Sequence, residues 1–185
     1  MNKILNREEC QFFQAHKSLL NVLRILQLDE KASKNIPSLA EMAQKAIDQM
    51  KDHKNGFALQ IEGGKVDWAA HGNDIAALLF DQIAFDEAVK VVMDFAKKDK
   101  NTLVVITSDH GNANPGLIYG GKTNDNFDHL QKFTHSNDWV LQGIHASSST
   151  SFVKDRIAEA CGGFAITDEQ AKELLSYYNN LKKED

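Results

Sequence analysis

Cysteine and proline are scarce in this chain, with two of each among 185 residues. Cys10 and Cys161 stand far apart and do not form a metal-binding spacing, so nothing indicates a disulfide framework. No apolar run approaches the roughly 20 residues of a transmembrane helix. The net charge of −5 argues against a dedicated nucleic-acid surface. What is present is the length of one ordinary domain and an apolar fraction of 42%, enough for a packed core.

The first residues, MNKILNREECQFF, also lack the features of an export signal. They contain neither an apolar segment of the kind found in signal peptides nor a small-residue cleavage site. The sequence therefore leaves the compartment unknown.

Helical patterns fill most of the chain. Residues 1 to about 54 are helical in pattern, and a capping box of Ser38 with Glu41 predicts a helix that ends near Asn55. An apolar stripe with a period near 3.6 predicts a long helix over about residues 74–98.

The second half of the chain is expected to be mainly helical. Helices are predicted over about residues 128–141 and 151–160, and a capping box of Thr167 with Gln170 predicts another that ends near Leu181. We therefore expect a single domain over residues 1–185 in which residues 112–185 form a mainly helical insertion or extension.

Two short runs predict β-strands. Residues 57–61 are apolar and bounded by glycine. Residues 102–107, TLVVIT, form a continuous run dominated by β-branched residues, which is typical of a strand covered on both faces. A helix between them makes a βαβ unit with parallel strands. The expected fold class is α/β, a partial parallel sheet with flanking helices. Two strands cannot complete such a sheet, so either further strands exist or the chain is part of a larger fold. Uncovered apolar surface then predicts self-association as a homo-oligomer.

Five potential metal ligands follow these two runs: Glu62, Asp67, His71, Asp109 and His110. Each one alone has an ordinary explanation, such as a strand-end charge, a helix cap, a surface histidine or a turn. Together they crowd the carboxyl ends of two predicted strands, where ligands of parallel sheets bind. Carboxylate with imidazole suits zinc, whereas an all-oxygen site that uses Glu62 suits magnesium. Clustered divalent metals serve phosphate-ester chemistry.

At these residues the chain resembles the alkaline phosphatases. The shared pattern is Glu62-Gly63 after a strand, then Asp67 and His71, a long helix that includes DQIAFDEAV, and TLVVITSDHG. IPSLAEMAQKAID and NANPGLIYGGK are similar to the same family. The resemblance implies a three-layer α/β/α fold and a phosphate monoester hydrolase, usually periplasmic or secreted. The net charge and the short apolar runs predict neither a nucleic-acid nor a membrane partner.

The resemblance also implies roles for the five ligands. Asp67 and His71 resemble ligands of the zinc that activates the attacking water. Asp109 and His110 resemble ligands of the zinc that activates a serine nucleophile, and Glu62 resembles the ligand of a third site, usually magnesium. The implied cofactors are thus Zn²⁺ at two sites, both incomplete here, and Mg²⁺.

Other family features find no match in the sequence. Nothing in residues 1–54 resembles the Asp-Ser nucleophile motif or the earlier metal-binding Asp, and the phosphate-binding Arg is missing. His135, after Thr134, is a poor substitute for the family's third zinc-binding His. We therefore expect an internal or carboxyl-side part of an alkaline phosphatase, weak or inactive alone and without an assignable catalytic nucleophile.

Two alternatives remain open from the sequence. Another phosphotransferase of the same superfamily, such as a phosphoglycerate mutase or a phosphopentomutase, also carries an Asp-His-Gly-Asn turn after a strand. A non-catalytic zinc-binding module would use the same ligands without turnover. The natural substrate is not predicted by any of these patterns.

Overall fold

The described part of the protein is mainly helical. The computed structural model describes residues 12–13, 36–112 and 121–181. Within these ranges it contains two short strands and seven helices. The strands are β1 (Phe12–Phe13) and β2 (Ala58–Leu59), and the helices are α1 (Leu39–Met50), α2 (Gly64–His71), α3 (Ile75–Lys98), α4 (Thr123–Leu130), α5 (Asn137–Gln142), α6 (Thr150–Ala160) and α7 (Asp168–Leu181).

The first packing unit is built on the long helix α3, against which α1 and α2 pack. The predicted capping box begins α1: Ser38 Oγ accepts from Glu41 N at 3.2 Å, and Ser38 N donates to Glu41 Oε2 at 2.7 Å. One face of α1 is buried against α3, namely Ala43, Ala46, Ile47 and Met50. The helix ends at Met50, earlier than predicted, because two successive turns carry the chain on to Gly56, whose φ of 77° suits only glycine well.

β1 and β2 form the sheet seen among the described residues. They pair in parallel, with Phe12 opposite Ala58 and Phe13 opposite Leu59. The predicted strand over residues 57–61 is therefore confirmed only at its centre. Phe12 and Phe13 fall in the helical pattern predicted for residues 1–54, and that prediction is wrong at these two positions. Aromatic residues favour strands when a partner is available. The remaining predicted helix before residue 36 lies outside the described residues.

The predicted strand over residues 102–107 is absent from the structure, which gives this run no regular secondary structure. Leu103, Val105 and Ile106 are 86%, 75% and 58% exposed, whereas the prediction required a strand covered on both faces. A strand forms only where a neighbouring strand takes up its backbone hydrogen bonds, and the strand pairing seen among the described residues joins β2 with β1 and does not include residues 102–107. The predicted βαβ unit and its extended parallel sheet are thus not seen in the described ranges.

A second packing unit contains α5, α6 and α7. Its buried core consists of Val140, Ile144, Val153, Ile157, Ala160 and Ala171. The single helix predicted over residues 128–141 is instead two helices, α4 and α5, because Ser136 begins a new one by accepting from Trp139 N at 3.2 Å. The predicted capping box before α7 is confirmed, with Gln170 N to Thr167 Oγ1 at 3.2 Å and Thr167 N to Gln170 Oε1 at 2.9 Å.

Asp74 connects the two packing units. Its carboxylate caps α3 by accepting from Ala77 N at 3.0 Å, and it also accepts from Asn137 N at 2.6 Å at the start of α5. The residue is only 2% exposed. The turn between α2 and α3 is therefore fixed from both sides. None of the described helices combines the length and apolar character needed to cross a bilayer.

Candidate metal site

The amino end of α2 forms one wall of the candidate site. The helix begins at Gly64, where Gly63 passes so close to α3 that an added Cβ would lie 2.8 Å from the Phe85 ring. Glycine at this position thus allows the start of α2 to pack closely on α3. Asp67 follows in the first turn and His71 at the end of the helix. Their four-residue spacing puts both side chains on one face.

Asp67 and His71 are in contact: Asp67 Oδ1 lies 3.5 Å from His71 Nε2. Two ligands about 2.1 Å from a tetrahedral zinc ion are about 3.4 Å apart. The observed separation therefore fits a pair of ligands on one zinc ion. The two side chains are 38% and 69% exposed, so a cation can reach them from solvent.

Asp109 and His110 form a second pair, with Asp109 Oδ2 at 3.6 Å from His110 Nε2. His110 N donates to Asp109 Oδ1 at 2.9 Å, which leaves the other carboxylate oxygen free of that contact. His110 Nδ1 lies 3.3 Å from Gly111 O. In the tautomer that donates this hydrogen bond, Nε2 carries the lone pair that a metal ligand needs.

The two pairs lie beside each other although they are far apart in sequence. His110 Nε2 is 3.9 Å from Asp67 Oδ1. Asn112 Nδ2 donates to Asp67 Oδ1 at 2.8 Å and lies 3.4 Å from the Asp67 carbonyl oxygen. Asp67 is therefore the centre of the group, in contact with one histidine from its own helix and one from the later segment.

Glu62 lines a cavity that Asp67, Asp109 and His110 also line. The carboxylate–imidazole pairs of the described residues at this cavity do not include it. The cavity has a volume of about 920 Å³, and its lining includes Glu62, Trp68, Asp67, Asp109 and His110. Its other walls are largely apolar side chains of α3 and of residues 103–106. Four of the five predicted ligands thus line one open space, whereas His71 is not part of its lining and contacts Asp67.

The donor atoms are arranged as pairs. Among residues 36–112 and 121–181, no group of three or more His, Cys, Asp or Glu side chains has the arrangement of a metal site. The separations of 3.5 and 3.6 Å within the pairs are compatible with two ligands of one zinc ion, and each pair supplies only two of the four ligands of a tetrahedral site. The residues present therefore fit zinc as two half-sites, and the ligand role of all five residues stays a prediction.

His135 is positioned elsewhere. Its ring stacks on Trp139 in the second packing unit at a centroid distance of 3.8 Å, and Thr134 Oγ1 lies 2.9 Å from its Nδ1. These contacts give His135 a packing role.

Sequence reasoning missed two features of the site. Asn112 was part of the quoted Asp-His-Gly-Asn turn, yet nothing in its type or spacing indicated a contact with Asp67. Lys65, in the first turn of α2, is only 9% exposed, and burial lowers its pKa to about 8 although the charge of Asp81 on α3 opposes the shift. A lysine two residues before a predicted ligand gives no sequence signal of burial.

Comparison with known proteins gives a consistent result. The sequence profile described as "Alkaline phosphatase" matches residues 20–184. Alkaline phosphatase 3 of Bacillus subtilis is 37% identical over 128 residues, which are 69% of this chain and 25% of that protein. Alkaline phosphatase 4 of the same organism is 34% identical over 147 residues, 79% of this chain and 27% of that protein. The chain thus spans about a quarter of the length of these relatives.

Solved structures agree. The crystal structure of Thermus thermophilus alkaline phosphatase is similar with a TM-score of 0.72 and 29% identity, covering 80% of this chain and 32% of that one. A cold-active alkaline phosphatase from Shewanella sp. shares the fold, with a TM-score of 0.64 and 19% identity over 89% of this chain and 43% of that one. These neighbours support the α/β class, although the described residues themselves are mostly helical. Because the matching profile covers nearly the whole sequence, the chain belongs to the alkaline phosphatase family.

Proposed function

We propose that this chain carries part of the metal site of a phosphate monoester hydrolase, with Glu62, Asp67, His71, Asp109 and His110 as ligands of Zn²⁺ and Mg²⁺. Family membership supports a phosphatase-type activity. The observation that carries the proposal is the pairing of one carboxylate oxygen with one imidazole nitrogen at 3.5 Å and again at 3.6 Å, side by side around Asp67.

The family pattern suggests the role of each pair, and the spacing within the pairs supports it. Asp67 with His71 would hold one zinc ion and Asp109 with His110 a second, while Glu62 at the same cavity would serve magnesium. Metal ions bound there supply charge neutralisation for a transferring phosphoryl group and its apical oxygens. The residues of the chain orient and space these charges. A tetrahedral site needs further donors beyond each pair.

The proposal includes weak or absent turnover by this polypeptide alone. No Asp-Ser pair occurs anywhere in its sequence, so the family's nucleophile motif has no counterpart among the 185 residues. The pure, zinc-loaded chain should therefore hydrolyse p-nitrophenyl phosphate no faster than a His110→Ala variant. Robust turnover that His110→Ala abolishes would overturn this part of the proposal and leave the metal assignment standing.

Zinc titration by calorimetry tests the ligand assignment. The wild-type chain should bind two zinc ions with affinities in the micromolar range, and His71→Ala and His110→Ala should each remove one of them. His145→Ala is the matched control, because His145 is an exposed histidine between α5 and α6. If neither site variant changes zinc stoichiometry or affinity, or if His145→Ala has the same effect, the metal assignment is wrong.

A further inference from the structure

We propose that Asn112 is a positioning residue, which fixes the carboxylate of Asp67 and thereby fastens the Asp109–His110 segment to α2. This inference rests on the proposed function. The side-chain amide of Asn112 directs its nitrogen at two oxygens of one residue, Asp67 Oδ1 at 2.8 Å and the Asp67 carbonyl oxygen at 3.4 Å. An amide nitrogen has two hydrogens, so it can serve both acceptors at once.

The oxygen that Asn112 contacts is the one that the site uses. Asp67 Oδ1 also faces His71 Nε2 at 3.5 Å and His110 Nε2 at 3.9 Å. A hydrogen bond to this atom limits rotation of the carboxylate and keeps the oxygen between the two imidazoles. The donor is a neutral amide, so it adds no positive charge beside the oxygen that would bind the metal ion. Metal-binding carboxylates are commonly held by such outer hydrogen bonds.

Asn112 also attaches its own segment of the chain to α2 by hydrogen bonds. Residues 102–108 lack regular secondary structure, and Asp109 is 86% exposed. Among the described hydrogen bonds of residues 103–112, those that reach another element are the two made by Asn112, across 45 positions in the chain. The segment that carries Asp109 and His110 is thus attached to α2 through the same side chain that orients Asp67.

The first test measures zinc affinity in three variants. Asn112→Leu keeps a similar size but removes the donor, and we expect it to weaken zinc binding about 10- to 100-fold, the usual effect of losing an outer-shell partner. Asn112→Gln retains the amide and should recover part of the affinity. Asn126→Leu, at an exposed asparagine on α4, is the matched control and should bind zinc as the wild type does.

A double-mutant cycle separates positioning from general destabilisation. In an Asp67→Ala background, Asn112→Leu should cause little further loss of zinc affinity, because the carboxylate that Asn112 holds is gone and only the 3.4 Å contact with the main-chain oxygen of residue 67 remains. An equal loss in both backgrounds, or an unchanged affinity in Asn112→Leu alone, overturns the proposal.

A metal-free readout keeps this inference distinct from the proposed function. The side-chain amide signals of Asn112 in a ¹⁵N NMR spectrum should shift in Asp67→Ala without any zinc present. If the wild-type chain binds no zinc but these signals shift, the metal assignment fails and the Asn112–Asp67 contact stands. If the signals do not respond to Asp67→Ala, the positioning role is refuted whatever the zinc titration shows.

Discussion

Replacement of Asp74 by alanine tests whether the turn after His71 is fixed by one buried carboxylate. The substitution removes two hydrogen bonds at once, to Ala77 N at 3.0 Å and to Asn137 N at 2.6 Å. Loss of a helix cap costs about 0.5–2 kcal/mol, and loss of a hydrogen bond to a charged group costs about 1.5–3 kcal/mol. Because the residue is only 2% exposed, water cannot replace either contact easily. We expect a loss of about 2–5 kcal/mol, a large share of the roughly 5–15 kcal/mol that stabilises a typical domain.

Urea denaturation followed by circular dichroism measures this loss. With an m value of about 2 kcal/mol/M, Asp74→Ala should lower the midpoint by at least about 1 M. Ser149→Ala is the matched control, since Ser149 caps α6 through Phe152 N at 3.1 Å without joining the two packing units. Its midpoint should fall by only about 0.5 M, as expected for one cap. If Asp74→Ala shifts the midpoint no more than Ser149→Ala does, Asp74 does not connect the two units.

Three further predictions use the same chain. Gly63→Ala should destabilise the chain by about 1–3 kcal/mol and weaken zinc binding, because the new methyl group would collide with Phe85. An unchanged urea midpoint together with an unchanged zinc affinity would contradict this. The pKa of Lys65 is lowered to about 8, so between about pH 8 and 10.5 the unfolded chain binds more protons than the folded chain does. The free energy of unfolding of the metal-free protein should therefore rise with pH over that interval, by up to about 3 kcal/mol. Urea titrations should lose this rise in Lys65→Met, and a rise that persists refutes the assignment. The exposed Leu103 and Val105 should promote self-association of the chain. Light scattering should therefore give a lower molecular mass for Val105→Lys than for the wild type, and a monomeric wild type would contradict the prediction.

Helix starts were predictable because their signals are local. In the capping box before α1, Ser38 and Glu41 exchange hydrogen bonds across three residues, and the box before α7 works in the same way. Such contacts form whatever the rest of the chain does, so a sequence pattern is enough to place them. The start of the long helix was predicted near residue 74, and Asp74 is its cap, a role that was not assigned from the sequence. Its second bond, to Asn137, depends on tertiary packing and had no local signal.

The TLVVIT run shows the opposite case. Its composition is that of a buried strand, yet Leu103 is 86% exposed and the segment pairs with no other described segment. The preference of β-branched residues for strands reflects packing against neighbours more than the backbone itself. A sequence pattern therefore reports that a segment is suited to a sheet, and whether a sheet forms depends on which partners the fold brings alongside.

The site combines both kinds of information, which explains why only part of it was predictable. The four-residue spacing of Asp67 and His71 is a property of one helix and needs nothing else. The approach of His110 to Asp67 was expected from two parallel strands ending at one edge, but it occurs without the second strand. The side chain of Asn112, which donates to Asp67 Oδ1 at 2.8 Å, links the two segments instead. It follows that the alignment of the half-sites depends on side-chain contacts at α2, so a single amide substitution there should disturb metal binding more than changes within residues 102–107.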